Sequence, residues 1–99
     1  MSDGATLIAI ERKRQVASEK WSASHDDGHD RDELARAAAC YAMPARFRQT
    51  RRRGLWAWAA GWWKPTPKDR IRELVKAGAL IAAEIDRLQR NKPASERTT

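Results

Sequence analysis

Features that would place a protein in a membrane or outside the cytoplasm are missing from this sequence. It has one cysteine, Cys40, which cannot form an internal disulfide and predicts a small buried residue of a cytosolic protein. Its longest apolar runs, Leu55–Trp63 and Ala77–Ala83, fall far short of the ~20 residues that span a bilayer. The amino terminus has no cationic region followed by an apolar stretch and a cleavage site. We therefore expect a cytoplasmic protein with no membrane partner.

Acidic residues are nearly absent from the middle of the chain. Residues 36–72 hold ten Lys and Arg residues and one acid, Asp69, whereas residues 1–35 hold eight acids and five bases. The whole chain has a formal charge of +7 and a pI of about 10.3. This excess of positive charge favours an anionic partner such as a nucleotide or a nucleic acid, although a basic surface also serves solubility.

The basic segment also contains most of the tryptophan. Trp56, Trp58, Trp62 and Trp63 lie beside Arg51–Arg53 and Lys64. Flat indole rings can stack on bases while cations hold phosphates, so this segment is where we expect a ligand. The alternative is that the tryptophans close a hydrophobic core or an interface between subunits.

No stretch of the sequence alternates polar and apolar residues as a strand would, and no segment repeats. Helical composition and spacing instead predict an all-α fold, a small bundle of about three helices completed by oligomerisation. Residues 1–91 form its single domain and residues 92–99 a disordered tail. The predicted elements are a helix from Ala5 to Lys20, a polar loop at Trp21–Asp30, a helix from Glu33 to Pro44, a connection over Pro44–Pro65 with a helical turn around Ala45–Arg51, and a last helix from Thr66-Pro67 to Asn91.

The last predicted helix has the clearest periodicity. Thr66-Pro67-Lys68-Asp69 supplies a cap residue, a proline at the first helical position and an acid in the first turn. An apolar stripe then follows at spacings of three and four residues. It consists of Ile71, Leu74, Val75, Gly78, Ile81, Ile85 and Leu88.

Two helical motifs place a base where a magnesium site would need an acid. They are Glu33-Leu34-Ala35-Arg36 and Glu73-Leu74-Val75-Lys76. Paired ExxE or ExxD motifs on two helices can hold Mg²⁺ against a triphosphate, whereas Arg36 and Lys76 would repel the ion and attract phosphate. If the two helices pack together, the four charges meet in one cleft. The alternative is that each motif is an ordinary exposed intrahelical ion pair.

The predicted loop at Trp21–Asp30 is rich in metal-binding side chains. His25, Asp26, Asp27 and His29 are a plausible set of ligands for a divalent ion. Without a helix beneath them, however, the four-residue spacing does not fix both imidazoles on one face. Capping and loop contacts are the alternative interpretation.

A combination of short motifs distinguishes residues 11–88. They are Glu11-Arg12, Arg14-Gln15, Trp21, His25-Asp26-Asp27, His29, Glu33-Leu34-Ala35, Ala37-Ala38, Tyr41-Ala42, Trp63-Lys64-Pro65 and Leu74-Val75-Lys76-Ala77-Gly78-Ala79-Leu80. Together they resemble a group of small phage and prophage proteins. This resemblance implies a protein that works in a bacterial host cell, but no particular activity.

The two alanine-rich helices, one opening with Glu33-Leu34-Ala35, also resemble a reduced MazG-like nucleotide pyrophosphohydrolase. Such enzymes are all-α, assemble as dimers or tetramers, and use four carboxylates on two helices to bind Mg²⁺ and direct water at a nucleoside triphosphate. Here Glu33 and Glu73 match that pattern, while Arg36 and Lys76 depart from it. The resemblance implies a nucleotide-sized cleft between helices that holds its ligand without cutting it.

The leading hypothesis is a homo-oligomer of phage origin that binds a nucleotide or cyclic oligonucleotide and sequesters an immune signal of the host. It requires no cofactor and no catalytic residue. The predicted ligand-binding residues are Arg36, Lys76, Arg70, Arg72, Glu33, Glu73, Trp56, Trp62, Trp63 and Tyr41.

Two other functions remain open from the sequence. One is a divergent pyrophosphohydrolase that uses Mg²⁺, held by Glu33, Glu73 and the Asp26/Asp27 loop. The other is an interaction protein whose positive surface binds nucleic acid or a host protein and inhibits a nucleic-acid-guided defence complex.

Overall fold

The computed structural model describes residues 2–92, and all their side chains except those of residues 49–53. Within this part of the chain all regular structure is helical, which confirms the predicted all-α fold. The elements are α1 (Gly4–Ser18), α2 (Ala23–Asp27), α3 (Glu33–Ala42), α4 (Ala45–Leu55), a 3₁₀ turn (Ala60–Trp62) and α5 (Arg70–Arg90). None of the described helices combines the length and the apolar character needed to cross a membrane. The predicted tail lies outside the described residues, apart from Lys92.

The core lies between α3 and α5. Leu34, Ala37, Ala38 and Tyr41 of α3 pack against Ala77, Leu80 and Ala83 of α5, and all seven are buried. Because most of these side chains are alanines, the two helix backbones approach closely and little apolar volume fills the space between them. The tryptophans at positions 21, 56, 58 and 63 cover this core from outside.

Helix α1 also packs against α5, and the two helices meet at a glycine. A Cβ atom at Gly78 would lie 2.4 Å from Cδ1 and 2.7 Å from Cγ1 of Ile8, so the Ile8 side chain occupies the place of a side chain at position 78. An ion pair between Glu11 of α1 and Arg72 of α5 fixes the same crossing, with 2.8 Å between Oε1 and Nη1.

Two segments predicted to be irregular each contain a helix. The polar loop contains α2, because the Ser22 hydroxyl accepts a hydrogen bond from the His25 backbone N–H at 3.2 Å and caps a helical turn. The connection contains the eleven-residue helix α4, longer than the turn predicted there. Its Arg48 side chain reaches Glu73 of α5 in the interior, a tertiary contact that local sequence does not reveal.

Helix α5 begins later than predicted and ends at Arg90, with Asn91 as its C-cap, which is close to the predicted end at Asn91. Its N-cap is Asp69, whose carboxylate accepts from the Arg72 backbone N–H at 3.0 Å. The Thr66 backbone N–H instead donates to Glu73, so Thr66–Asp69 forms a turn that leads into the helix. The predicted cap at Thr66-Pro67 was therefore wrong by about one turn.

The apolar stripe of α5 does not face the core. Ile71, Leu74, Ile81, Ile85 and Leu88 are each 46% to 68% exposed. Only Val75 is buried, and Gly78 is covered by Ile8. The inner face instead carries small residues together with Glu73, Glu84 and Arg87, which form ion pairs at low exposure.

Candidate functional site

An aromatic cleft of about 310 Å³ opens on the α3 side of α5. Helix α2 and its flanks supply the rings of Trp21, His25 and His29, α3 supplies Tyr41, and the segment around the 3₁₀ turn supplies three tryptophans. The lining residues are Trp21, His25, His29, Leu34, Tyr41, Trp56, Trp58, Ala59, Trp62 and Leu80. A concave, mostly apolar site with a few polar groups is the usual form of a small-molecule site.

The rings of the aromatic cleft hold one another in place. Trp21 and His25 are parallel with 5.9 Å between ring centroids, and His29 meets Trp58 edge to face at 5.2 Å. The Trp56 and Trp58 rings are also perpendicular, at 5.3 Å. Such edge-to-face packing orients aromatic walls before any ligand arrives.

A smaller polar pocket of about 60 Å³ adjoins the aromatic cleft and shares Trp21, Tyr41, Trp62 and Leu80 with it. Its other walls are charged or polar: Glu11, Arg14, Gln15, Glu19, Lys64 and Lys76. A ligand with a flat ring and an anionic group could therefore extend from one site into the other.

Lys76 is the cation best placed to receive that anionic group. Its Nζ donates to the backbone carbonyl of Lys64 at 3.0 Å and lies 5.5 Å from the centroid of the Tyr41 ring. Among the described side chains it has no carboxylate within salt-bridge distance, so its charge is not neutralised by an ion pair. Burial, and then the nearby charge of Arg72, lower the pKa of Lys76.

Glu11 places a carboxylate in the wall of the polar pocket, and hydrogen bonds hold it in position. Its two oxygens accept hydrogen bonds from Arg14 at 2.8 and 2.9 Å, and Oε2 also accepts from Nε2 of Gln15 at 3.3 Å. Burial opposes ionisation of this carboxyl, but the hydrogen bonds from Arg14 and Arg72 outweigh it and lower the pKa of Glu11. The Glu11 carboxylate therefore already has its hydrogen-bond donors within the chain, and it does not form an ion pair with Lys64 or Lys76.

Two of the predicted ligand-binding residues, Arg70 and Arg72, stabilise the fold instead. Arg70 donates to the backbone carbonyls of Tyr41, Ala42 and Met43 and so closes the carboxyl end of α3. Arg72 pairs with Glu11. Neither guanidinium lines the aromatic cleft or the polar pocket.

Glu73, a predicted ligand residue, is fully buried. Its carboxylate binds Arg48 at 2.8 and 3.2 Å, Arg70 at 3.2 Å and the Thr66 backbone N–H at 3.1 Å. Burial alone would raise the pKa of Glu73, but the hydrogen bonds from Arg48 and Arg70 outweigh it and lower that pKa. This network ties α4, α5 and the turn before α5 together.

The predicted four-charge cleft between the two helical motifs is not formed. Glu33 lies at the start of α3, where it contacts His29 and the backbone of Arg31, whereas Arg70 ties Glu73 to the end of the same helix. The ten residues of α3 separate these ends by roughly 15 Å. Arg36 donates to the Gly54 carbonyl at 3.4 Å, and Lys76 lies at the polar pocket.

The predicted metal ligands of residues 25–29 also have separate partners. Asp26 is buried against Arg12 at 2.9 Å and His25 at 3.3 Å, and Asp27 pairs with Arg90 at 2.8 Å. His29 faces Glu33 and the Trp58 ring. Within residues 2–92, no three or more His, Cys, Asp or Glu side chains are grouped so that they could hold a metal ion.

The structure brings together part of the predicted site and adds residues that were not among the predicted ligand-binding residues. Trp56, Trp62 and Tyr41 line the aromatic cleft, whereas Trp63 packs behind it against Tyr41, with 4.7 Å between centroids. The added residues are Trp21, the two histidines as ring walls, and Glu11, Arg14, Gln15, Glu19 and Lys64. The spacing of Glu11, Arg14 and Gln15 on one face of α1 was the available signal.

No protein-family model matches this chain, and no curated protein or solved structure matches it either.

Proposed function

We propose that this protein binds a nucleotide without hydrolysing it, with the base in the aromatic cleft and the phosphates at Lys76 and Lys64. The observation that supports this most directly is the junction of the two sites. Trp21, Tyr41 and Trp62 belong to both, so a base stacked among the rings lies next to the two lysines. Base stacking on aromatic side chains and charge-assisted contacts to phosphate are complementary in this arrangement.

Binding without hydrolysis follows from the state of the acidic residues. Glu73 is enclosed by two arginines and a backbone N–H, and Glu11 by two arginines and an amide. Glu33 lies at the other end of α3 from Glu73. These carboxylates are therefore neither free nor close enough together to share a magnesium ion beside the phosphates.

The decisive experiment is calorimetry with a panel of mono-, di- and triphosphate nucleosides and cyclic dinucleotides. We expect binding of at least one of them, and a loss of roughly 10- to 150-fold in affinity in Lys76→Met, since one charge-assisted contact contributes ~1.5–3 kcal/mol. Arg36→Met is the matched control, because Arg36 lines neither site, and it should bind as the unaltered protein does.

The same titrations separate the proposal from its rivals. Binding of no member of the panel would refute it. Release of pyrophosphate from a bound triphosphate in the presence of Mg²⁺ or Mn²⁺ would show a pyrophosphohydrolase instead. Equal loss of affinity in Lys76→Met and Arg36→Met would show that general positive charge, and not the polar pocket, attracts the ligand.

A further inference from the structure

The exposed face of α5 is unusual for a protein of this composition. Five large aliphatic side chains, Ile71, Leu74, Ile81, Ile85 and Leu88, are about half exposed or more along one 21-residue helix. With 1.5 Å of rise per residue, the face from Ile71 to Leu88 is roughly 25 Å long. We call these five residues, with Gly78 and the Ile8 side chain that covers it, the α5 stripe. A contiguous exposed apolar face of this length, on a chain that is 33% charged, is typical of an interaction surface.

We propose that the α5 stripe is the contact surface between two copies of this chain, which pair with their α5 helices antiparallel across a twofold axis.

The spacing of the α5 stripe supports self-pairing. Positions 71, 74, 78, 81, 85 and 88 are separated by 3, 4, 3, 4 and 3 residues, a sequence of intervals that reads the same in both directions. Two antiparallel copies therefore match position 71 with 88, 74 with 85, and 78 with 81. A twofold interface requires this kind of self-complementary surface. The alternating intervals are also those of helices that pack side by side with knobs in holes.

Gly78 has no side chain to contribute to the antiparallel pairing, but the Ile8 side chain lies above it and takes that place. Ile8 of α1 fills the space above Gly78, so the position opposite Ile81 of the second copy is apolar and filled. Each copy would then contribute an unbroken series of large aliphatic groups from two helices. The α1 crossing becomes part of the interface and does not interrupt it.

Charge favours a second copy over an anionic partner. Between Ile71 and Leu88, the positions beside the stripe are Val75, Ala77, Ala82 and Glu84, and none of them is a base. Glu84, the charged residue among them, is 7% exposed and forms an ion pair with Arg87 of the same chain. Two chains of formal charge +7 repel each other, and an interface between them must exclude opposing bases. The α5 stripe does so. A nucleic acid or an anionic lipid surface would instead need cations next to the apolar groups, and Arg72 and Arg87 are engaged in ion pairs with Glu11 and Glu84.

The size of the α5 stripe is adequate for a small dimer. Its half-exposed side chains present on the order of 500 Å² per copy, at the upper end of the apolar patches found on monomers. Pairing two stripes buries on the order of 1,000 Å², which lies at the low end of specific interfaces. We therefore expect a dimer that dissociates on dilution.

The pairing leaves the aromatic cleft open. Leu80 lines the cleft, and successive residues of a helix point about 100° apart, so Ile81 and Ile85 project well away from it. The proposal therefore does not rest on the proposed function, and dimerisation and ligand binding can fail separately.

Sedimentation equilibrium across a dilution series tests the proposal. We expect twice the 11.3 kDa chain mass at high concentration, with a shift to the single mass on dilution. Ile81→Glu and Ile85→Glu, as separate variants, each place two acids in the paired stripe of the dimer, and each should give a monomer with unchanged helical content. Val16→Glu is the matched control, since Val16 is 43% exposed on α1 outside the stripe, and it should remain dimeric. A monomer at all concentrations, or a dimer unaffected by both stripe variants, overturns the proposal.

Cross-linking tests the antiparallel arrangement. In a chain with Cys40 replaced by alanine, oxidation of Leu74→Cys mixed with Ile85→Cys should give a disulfide between the two variants, because position 74 meets position 85 of the second copy. Each variant oxidised alone should cross-link poorly. Efficient disulfide formation by Leu74→Cys alone would show a parallel pair and refute the stated symmetry. Binding to anionic vesicles that is abolished by Ile81→Glu, with a monomer in solution, would show that the stripe docks on a lipid surface instead.

Discussion

Arg48 and Glu73 form a two-point ion pair in the interior of the protein, with Nη1 2.8 Å from Oε2 and Nη2 3.2 Å from Oε1. Both side chains are almost fully shielded from solvent. The pair joins α4 to α5, and the Glu73 carboxylate also accepts hydrogen bonds from Arg70 and from the Thr66 backbone N–H. A buried ion pair of this kind fixes which helices meet, while its removal from one side leaves an uncompensated charge.

Glu73→Gln should therefore lower the free energy of unfolding by about 3 kcal/mol at neutral pH, as measured by urea denaturation. Glu19→Gln is the control, because Glu19 forms a more exposed ion pair with Arg14, and it should change stability by less than about 1 kcal/mol. A loss in Glu73→Gln no larger than in the control would contradict the structural role of the pair.

The acid dependence of stability follows from the same residue. The pKa of Glu73 is lower in the folded protein than its ordinary value of 4.5, so the ionised carboxylate stabilises the fold above that value. This stabilisation is lost as the pH falls through the folded pKa. Glu11 contributes in the same direction. Glu73→Gln should flatten the fall in stability below pH 4.5, and an unchanged profile in that variant would show that Glu73 does not contribute to it.

The helices could be predicted from sequence because their signals are local. Helical composition identified α1, an acidic start and a proline stop identified α3, and periodicity identified α5. The same periodicity did not show which face of α5 is inside. The burial of Glu73, Glu84 and Arg87 depends on ion-pair partners, and that of Glu73 on an arginine 25 residues away. An apolar stripe predicts that a face is covered, and it does not distinguish the protein's own core from a second molecule.

The site was predicted less well than the fold, for a related reason. Tryptophan enrichment correctly located one wall of the aromatic cleft, but Trp21 and the histidines join it only because α2 folds back on the core. Motif spacing suggested that Glu33, Arg36, Glu73 and Lys76 converge. Helices α3 and α5 do pack together, yet Glu33 and Glu73 lie at opposite ends of the contact. Spacing within each helix fixes a face, and only the packed structure fixes the relative height of the two motifs.

Trp62 lines both sites and is 57% exposed, so its substitution should disturb the core little. Trp62→Ala should weaken nucleotide binding by roughly 5- to 150-fold, because a stacked base contributes ~1–3 kcal/mol, with little change in thermal stability. Phe47→Ala is the matched control, an exposed aromatic residue of α4 that lines neither site. Calorimetry that shows equal affinity for both variants would exclude Trp62 from the ligand contact.

The affinity for nucleotide should decline in the alkaline range earlier than an ordinary lysine would allow. Lys76 attracts phosphate only while it is protonated, and its pKa lies below the usual 10.5 because of burial and the charge of Arg72. The attraction is present below the folded pKa and is lost as the pH rises through it. Lys76→Arg should move the decline to higher pH, since a guanidinium stays charged. Calorimetric titrations from neutral to alkaline pH measure both profiles, and identical profiles would show that Lys76 does not contact the phosphates.

Gly78 and Ile8 should show a strong energetic coupling. A Cβ at position 78 would lie 2.4 Å and 2.7 Å from Ile8 side-chain atoms, and the β-branched Ile8 has few rotamers into which it can retreat. Gly78→Ala gains about 1 kcal/mol of helix propensity but overpacks the α1 crossing by about 1–3 kcal/mol, so the single variant should be net destabilised. In an Ile8→Ala background the clash is absent, and the same substitution should stabilise the protein. A double-mutant cycle by urea denaturation gives the coupling energy, and additive effects of the two substitutions would show that Ile8 does not occupy the space above Gly78.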